Sequence, residues 1–197
     1  MKDKYKPIII CILLSLFQGF MYFISKLTPF SLHLIEINLD KLIPFIIYFV
    51  YLYISWYLML FIIPYIMYLK DKIIFKKYVI SIVISILIVF LIYFFYPTTI
   101  TRPNIVVNSF TSFALKLIYI VDTPVNCLPS MHCLICFMFI YNSLRKAFST
   151  KFKIITIVWS ILIILSTLFI KQHAILDVIS AFIVSLIIYY IVDKKCS

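Results

Sequence analysis

Long uninterrupted apolar runs are the feature that most limits how this chain can fold. Only 13% of its 197 residues are charged and 65% are apolar, whereas soluble domains carry about 25% charged residues. The runs lie near or above the roughly 20 residues that a helix needs to cross a bilayer. We therefore predict an all-α, polytopic integral membrane protein with six transmembrane helices, at residues 7–25, 42–69, 78–96, 129–144, 154–170 and 174–192.

The segment 97–128 differs from these runs. Its apolar residues, such as Phe110, Phe113 and Leu117, recur at helical spacing among polar ones. That pattern is typical of a helix that lies in the membrane interface. We expect an interfacial segment here, within a single membrane domain that comprises residues 1–197.

The net charge of +11 could indicate a nucleic-acid partner, but the basic residues are clustered in short segments between the apolar runs. This placement is a topology signal, so we expect no nucleic-acid binding. With six spans, most of the 18 Lys and Arg residues fall on the side of the two termini, which predicts that both termini are cytoplasmic. The same topology brings five polar residues to the outer face: Arg102, Ser130, His132, His173 and Asp177.

Cysteines offer a separate candidate site. The chain has five of them, and Cys133 and Cys136 form a C-x-x-C pair inside an apolar run. A thiol in such a run is more often a small buried apolar group than a redox or metal ligand. We interpret the pair as buried thiols.

His173 and Asp177 lie four residues apart, on one face of a predicted helix. A histidine nucleophile needs one free ring nitrogen and an acceptor that holds the other N–H, and a carboxylate one turn along the helix supplies that acceptor. The alternative is a polar pair that satisfies itself inside a helix bundle. Ionisable groups at membrane depth are costly, which favours a functional role.

Ser130 and His132 stand where the fourth span begins, after Pro129, which suits the first turn of a helix. Unpaired N–H groups at helix starts bind anions, and the imidazole could protonate a leaving alkoxide. The alternative is a capping serine beside an interfacial histidine. Arg102 lies just outside the third span. Its guanidinium could hold a phosphate, although a single arginine there could equally be an interface anchor.

Together these residues resemble the signature of the type 2 phosphatidic acid phosphatase superfamily. The resemblance rests on Arg102-Pro103, Pro129-Ser130-x-His132, and Ser166 with His173-x-x-x-Asp177. It implies a helical bundle that cleaves or transfers phosphate groups without a metal, through a phosphohistidine. By the same resemblance His173 is the nucleophile, Asp177 orients it, and His132 is the acid for the leaving group. Arg102 and Ser130 then hold the phosphate.

Three positions depart from the family pattern. Phe95 replaces a lysine, Thr167 replaces an arginine, and Met131 replaces a glycine. The loss of two cations weakens the charge stabilisation on which phosphoryl transfer depends. We expect Lys171 to substitute for them, with Lys116 a weaker candidate. The bulky residue before His132 and the basic residue before His173 resemble the branch of inositol phosphorylceramide and sphingomyelin synthases.

We therefore expect a metal-independent lipid phosphate or pyrophosphate phosphatase with its site at the outer face of the membrane. A phospho-headgroup transferase and a non-catalytic relative are the alternatives. A further alternative is a metal or haem site at His132, His173 and Asp177, but metal-assisted phosphate chemistry usually needs several carboxylates together. We expect no cofactor and no metal, a lipid phosphate substrate, and a location in a bacterial cytoplasmic membrane.

Overall fold

The computed structural model describes residues 2–195, and Cys196 lies outside this range. Within it the fold is all-α, as predicted, apart from the paired two-residue strands β1 (His33–Leu34) and β2 (Thr98–Thr99). The α-helices are α1 (Lys6–Ser25), α2 (Val50–Lys70), α3 (Lys72–Phe95), α4 (Phe110–Val121), α5 (Met131–Ser143), α6 (Thr150–Phe169) and α7 (Ile175–Lys195).

Two helices begin farthest from the residues at which the sequence predicts them to begin. α2 begins at Val50 instead of 42, because residues 38–42 and 47–49 form short 3-10 turns before it. α3 begins at Lys72 instead of 78, because Asp71 caps it: the Asp71 carboxylate accepts hydrogen bonds from the backbone N–H groups of Ile73 and Ile74, at 2.8 and 3.1 Å. An acceptor at this position satisfies N–H groups that have no partner within the helix.

The predicted fourth span is shorter than a transmembrane helix. Five of the helices in residues 2–195 are long and apolar enough to cross a membrane: α1, α2, α3, α6 and α7. α5 has 13 residues, or about 20 Å at 1.5 Å per residue, and a hydrocarbon core is about 30 Å thick. α5 is the central helix of the bundle, and most of its side chains are buried against α6, α7 and α3.

One end of the bundle is basic and is held by an ion-pair cluster. The Asp193 carboxylate on α7 pairs with Lys77 on α3 and with Arg145, which follows α5. These contacts join three helices close to the C-terminal end of the described chain. The cluster lies on the side that the charge pattern assigns to the cytoplasm.

The connecting segments meet at the opposite end. Strands β1 and β2 pair in parallel, with His33 opposite Thr98. The chain then returns after α4, and the backbone N–H of Asn126 donates to the Thr98 carbonyl at 2.8 Å. Leading into α5, the N–H of Ser130 donates to the carbonyl of Asp177 on α7, at 3.2 Å. These hydrogen bonds bring the starts of α5 and α7 together, and with them the predicted site residues.

Candidate active site

His173 and Asp177 form a buried pair at the start of α7. His173 Nδ1 lies 3.0 Å from Asp177 Oδ2, and the backbone N–H of Ala174 donates to the same oxygen at 2.8 Å. The Asp177 side chain is fully buried. Because a carboxylate can only accept, Nδ1 carries the proton and Nε2 is the ring nitrogen with a free lone pair.

Asp40 fixes the first turn of α7 from a segment far away in the sequence. Its Oδ1 accepts from the N–H of Ile175 at 2.8 Å, and its Oδ2 accepts from the N–H of Ile37 at 2.9 Å. One carboxylate therefore ties the loop after α1 to the helix that carries Asp177. The sequence did not reveal this role, since the two partners of the first contact are 135 residues apart.

Lys171, which we expected to bind phosphate, holds the same loop. Its Nζ donates to the carbonyl of Asp40 at 2.9 Å and to that of Ile43 at 2.7 Å. The backbone of Lys171 has a φ of 52°, in the left-handed region. An ammonium group has three N–H donors, so one remains beyond these two contacts. The phosphate-binding role of Lys171 stays a prediction.

Ser130 and His132 reach the site from α5. Ser130 is fully buried and caps the helix, with its Oγ accepting from the N–H of Cys133 at 3.2 Å. The ring centroid of His132 lies 5.7 Å from that of His173 and 4.2 Å from that of Trp56. His132 Nε2 is buried and has no hydrogen-bond partner in residues 2–195. The fold thus places two imidazoles from distant motifs side by side.

Arg102 lies next to the site on the segment between α3 and α4. Its Nη1 donates to the backbone carbonyl of Asp122 at 2.6 Å, and its guanidinium stacks 4.7 Å from the ring centroid of Tyr119. Its Nε is buried without a partner in the described chain. Arg102 is therefore held beside Asp122, and its predicted contact with phosphate remains a prediction.

Asp122 is a site residue that the motifs did not reveal. It follows the last residue of α4, and its carboxylate collects three donors from other parts of the fold. Oδ2 accepts from Tyr53 Oη at 2.9 Å and from Gln172 Nε2 at 3.0 Å, while Oδ1 accepts from Tyr22 Oη at 3.1 Å. The sequence alone did not indicate this role, because the donors come from α1, α2 and the turn before α7, which are distant from Asp122 in the sequence.

The electrostatic environment keeps Asp122 ionised. Burial opposes its charge, but the imidazoles of His132 and His173 and the hydrogen bond from Tyr53 outweigh burial, so the pKa of Asp122 lies below its usual value. A carboxylate with a perturbed pKa in a cleft beside two histidines is typical of functional sites.

An apolar cavity of about 360 Å³ opens from this site between α1, α2 and α3. Its polar end is formed by Asp122, Asn126, His132 and His173. The remaining wall is largely aliphatic and aromatic, and includes Leu60, Phe61, Ile86, Val89 and Phe90. A pocket of this size with a few convergent polar groups is typical of a small-molecule or lipid site.

Comparison with protein families gives one decisive match. The family model described as the PAP2 superfamily matches residues 31–191, which is most of the chain and includes all three motifs. The chain belongs to the PAP2 superfamily. PAP2 proteins are phosphatase- and phosphotransferase-type enzymes of lipid phosphates and are generally phosphoric ester hydrolases. Comparisons with curated proteins and with solved structures give no significant match. With its long apolar helices, this PAP2 chain is an integral membrane protein.

The three residues that depart from the PAP2 signature lie in different environments in this structure. Phe95 is 61% exposed at the end of α3, and Met131 lines the cavity. Thr167 is buried, and its hydroxyl donates to the carbonyl of Ile164 on its own helix at 2.7 Å. Neither Phe95 nor Thr167 supplies the positive charge that the signature places at its position.

The C-x-x-C pair lies in the core of α5, behind the site. Cys133 and Cys136 are both fully buried free thiols, and Cys133 Sγ lies 3.6 Å from the hydroxyl of Thr167. Within residues 2–195, no three His, Cys, Asp or Glu side chains cluster as a metal ion would require.

Proposed function

We propose that this chain is a metal-independent phosphatase of lipid phosphates or lipid pyrophosphates that acts through a phosphohistidine on His173. The observation that carries the proposal is the placement of His173 between Asp177, 3.0 Å from its Nδ1, and the ring of His132. This is the arrangement that a nucleophile, its orienting acceptor and a proton donor require.

In the first step, His173 Nε2 attacks phosphorus. The N–P bond forms while the bond from phosphorus to the ester oxygen breaks, and His132 gives a proton to the departing oxygen. Asp177 stabilises the positive charge on the His173 ring. In the second step, a water oxygen attacks phosphorus, its proton passes to His132, and the N–P bond breaks to release phosphate. Arg102 and Ser130 hold the phosphate oxygens in both steps.

The cavity supports a lipid substrate. Its polar end contains both histidines, and its apolar wall continues between α1, α2 and α3. A phosphate at His173 could therefore keep its acyl or prenyl chain in an apolar environment, which avoids the cost of exposing that chain to water. By the charge pattern, we place this site at the outer face of the membrane and both termini in the cytoplasm.

The test is phosphate release by purified protein in proteoliposomes that contain a panel of lipid phosphates and diphosphates, with a chelator and no added metal. We expect release by the wild type and none by His173→Ala, with thermal unfolding of the variant close to that of the wild type. Turnover by His173→Ala would refute the nucleophile. A wild type that is folded but inactive on the whole panel would indicate a non-catalytic relative.

Phospho-headgroup transfer to an alcohol is the second candidate, and the apolar cavity favours it. An in-line acceptor must approach phosphorus from the side that the leaving group has vacated. The cavity that contains His173 and His132 has a largely apolar wall, which suits an alcohol with an apolar chain. Mass spectrometry of the same reactions with added lipid alcohols separates the candidates, because transfer yields a new lipid phosphate or phosphodiester while hydrolysis yields free phosphate.

A further inference from the structure

The ionised carboxylate of Asp122 is unexpected at a site for phosphate. Asp122, His132 and His173 line the same end of the cavity, so a phosphate at His173 would have this carboxylate as a neighbour. Two like charges repel strongly where water is scarce. A substrate that places a hydrogen-bond donor or a cation between its phosphate and Asp122 converts this repulsion into attraction.

A second acceptor at this end of the cavity has no hydrogen-bond donor. Asn126 is 3% exposed and lines the cavity, and its Oδ1 is buried without a hydrogen-bond partner among residues 2–195. A buried acceptor without a donor is costly, so a ligand in the cavity that supplies a donor to Asn126 gains affinity from it.

We infer that the polar end of this cavity selects lipid phosphates that carry a hydroxyl or ammonium group one or two carbons from the phosphate ester, with Asp122 and Asn126 accepting from that group. The inference rests on the proposed lipid phosphatase activity and deepens it. The donor must be close to the phosphate because Asp122 lies at the same end of the cavity as both histidines. Asp122 is here a specificity-determining residue, separate from the proton transfers assigned to His132.

The test compares three lipid phosphates with different groups beside the ester. Dioleoyl phosphatidate has no donor there, and 1-oleoyl lysophosphatidate has a hydroxyl on the second carbon. Sphinganine 1-phosphate has an ammonium group on the second carbon and a hydroxyl on the third. We measure kcat/KM on each for the wild type, Asp122→Asn and Asp71→Asn. Asp71 caps α3 without contact with the site, so its variant controls for the general effect of removing a carboxylate.

We expect Asp122→Asn to lower kcat/KM for one or both donor-bearing lipids, relative to phosphatidate, by roughly ten- to a hundredfold, as the loss of a hydrogen bond to a charged group predicts. For each lipid, kcat/KM of the variant is divided by kcat/KM of the wild type on the same lipid. The different numbers of hydrocarbon chains in the three lipids therefore do not affect the comparison. A change for lysophosphatidate alone identifies a hydroxyl on the second carbon as the selected group. A change for sphinganine 1-phosphate alone identifies its ammonium group or the hydroxyl on its third carbon.

Asn126→Gly provides a second variant if Asp122→Asn fails to fold. Asn126 has a φ of 62°, which glycine adopts freely, and the change deletes the unpaired acceptor. It should shift the preference in the same direction. An equal fall for all three lipids, or no change, would overturn the inference and leave the phosphatase proposal standing. A wild type that releases phosphate from none of the three, nor from the wider panel, would overturn both.

Discussion

Buried hydrogen bonds to carboxylates set the positions of the residues at the candidate site. Asp177 orients His173, and Asp122 gathers Tyr22, Tyr53 and Gln172 around the polar end of the cavity. Because these groups are shielded from water, each hydrogen bond to a charge stabilises its arrangement more than a surface contact would. The chemistry at this scale therefore depends on buried carboxylates and the donors around them.

Asp122 gives the site a defined response to acid. Its pKa is lower in the folded chain than the ordinary 3.8, so its contribution to stability is complete above that value and is lost as the pH falls through the lowered pKa. We expect the melting temperature of the wild type in detergent to fall over this acidic range more than that of Asp122→Asn. Parallel melting curves from neutral pH to below 3.8 would contradict a lowered pKa.

Lys171 has two possible roles that one variant can separate. We expect Lys171→Ala to lower kcat/KM well beyond tenfold, because two cations of the signature are already missing. We also expect it to lower the melting temperature, because the carbonyls of Asp40 and Ile43 lose their donor. Lys116→Ala is the control, since Lys116 is the weaker candidate. An unchanged kcat/KM with a lower melting temperature would leave Lys171 as an anchor of the loop.

At the scale of elements, the start of α7 is the part on which the site depends most. The helix carries Asp177 in its first turn, and Asp40 from the loop after α1 satisfies its N–H at Ile175. The start of α5 donates to the same helix through the N–H of Ser130. Two segments that are distant in the sequence, the loop after α1 and the start of α5, thus hold the first turn of α7.

Asp40 and Asp71 form a matched pair for testing this dependence, since each caps one helix with its carboxylate. We expect both Asp40→Ala and Asp71→Ala to reduce stability by about 1 kcal/mol or more, as the loss of a cap does. Only Asp40→Ala should also lower kcat, because α7 carries Asp177 whereas α3 carries none of the predicted site residues. Chemical or thermal unfolding and phosphate release measure the two effects. An equal kcat in both variants would show that Asp40 contributes to the stability of the fold and not to activity.

At the scale of the whole molecule, the bundle has two unlike ends. The ion pairs of Asp193 lie at one end, and the candidate site and its covering loops lie at the other. α5 begins at the site itself, so the covering loops separate the site from the end of the bundle. The site opens laterally into the cavity between α1, α2 and α3. This arrangement suits a substrate that stays in the bilayer.

Thiol labelling in cells tests the sidedness of the bundle. Asn104 and Lys146 are exposed residues at opposite ends, near Arg102 and Arg145 respectively. In a background without the natural cysteines, we expect Asn104→Cys to react with a membrane-impermeant reagent from outside, and Lys146→Cys to react only after the membrane is opened. The reverse pattern would overturn the proposed topology.

The sequence by itself determined the helical membrane class, the family and the three motifs, because run length, charge placement and residue spacing are properties of local sequence. The sequence overestimated the length of α5, because an apolar run of 16 residues looks the same whether it faces lipid or lies at the centre of a bundle. In the structure the helix lies at the centre of the bundle and comprises Met131–Ser143. The tertiary structure alone decided the contacts of Asp40, Lys171 and Asp122. Apart from the nearby Ile37, the partners of these three side chains lie 50 to 135 residues away, and such a hydrogen bond forms only where the path of the whole chain brings donor and acceptor together.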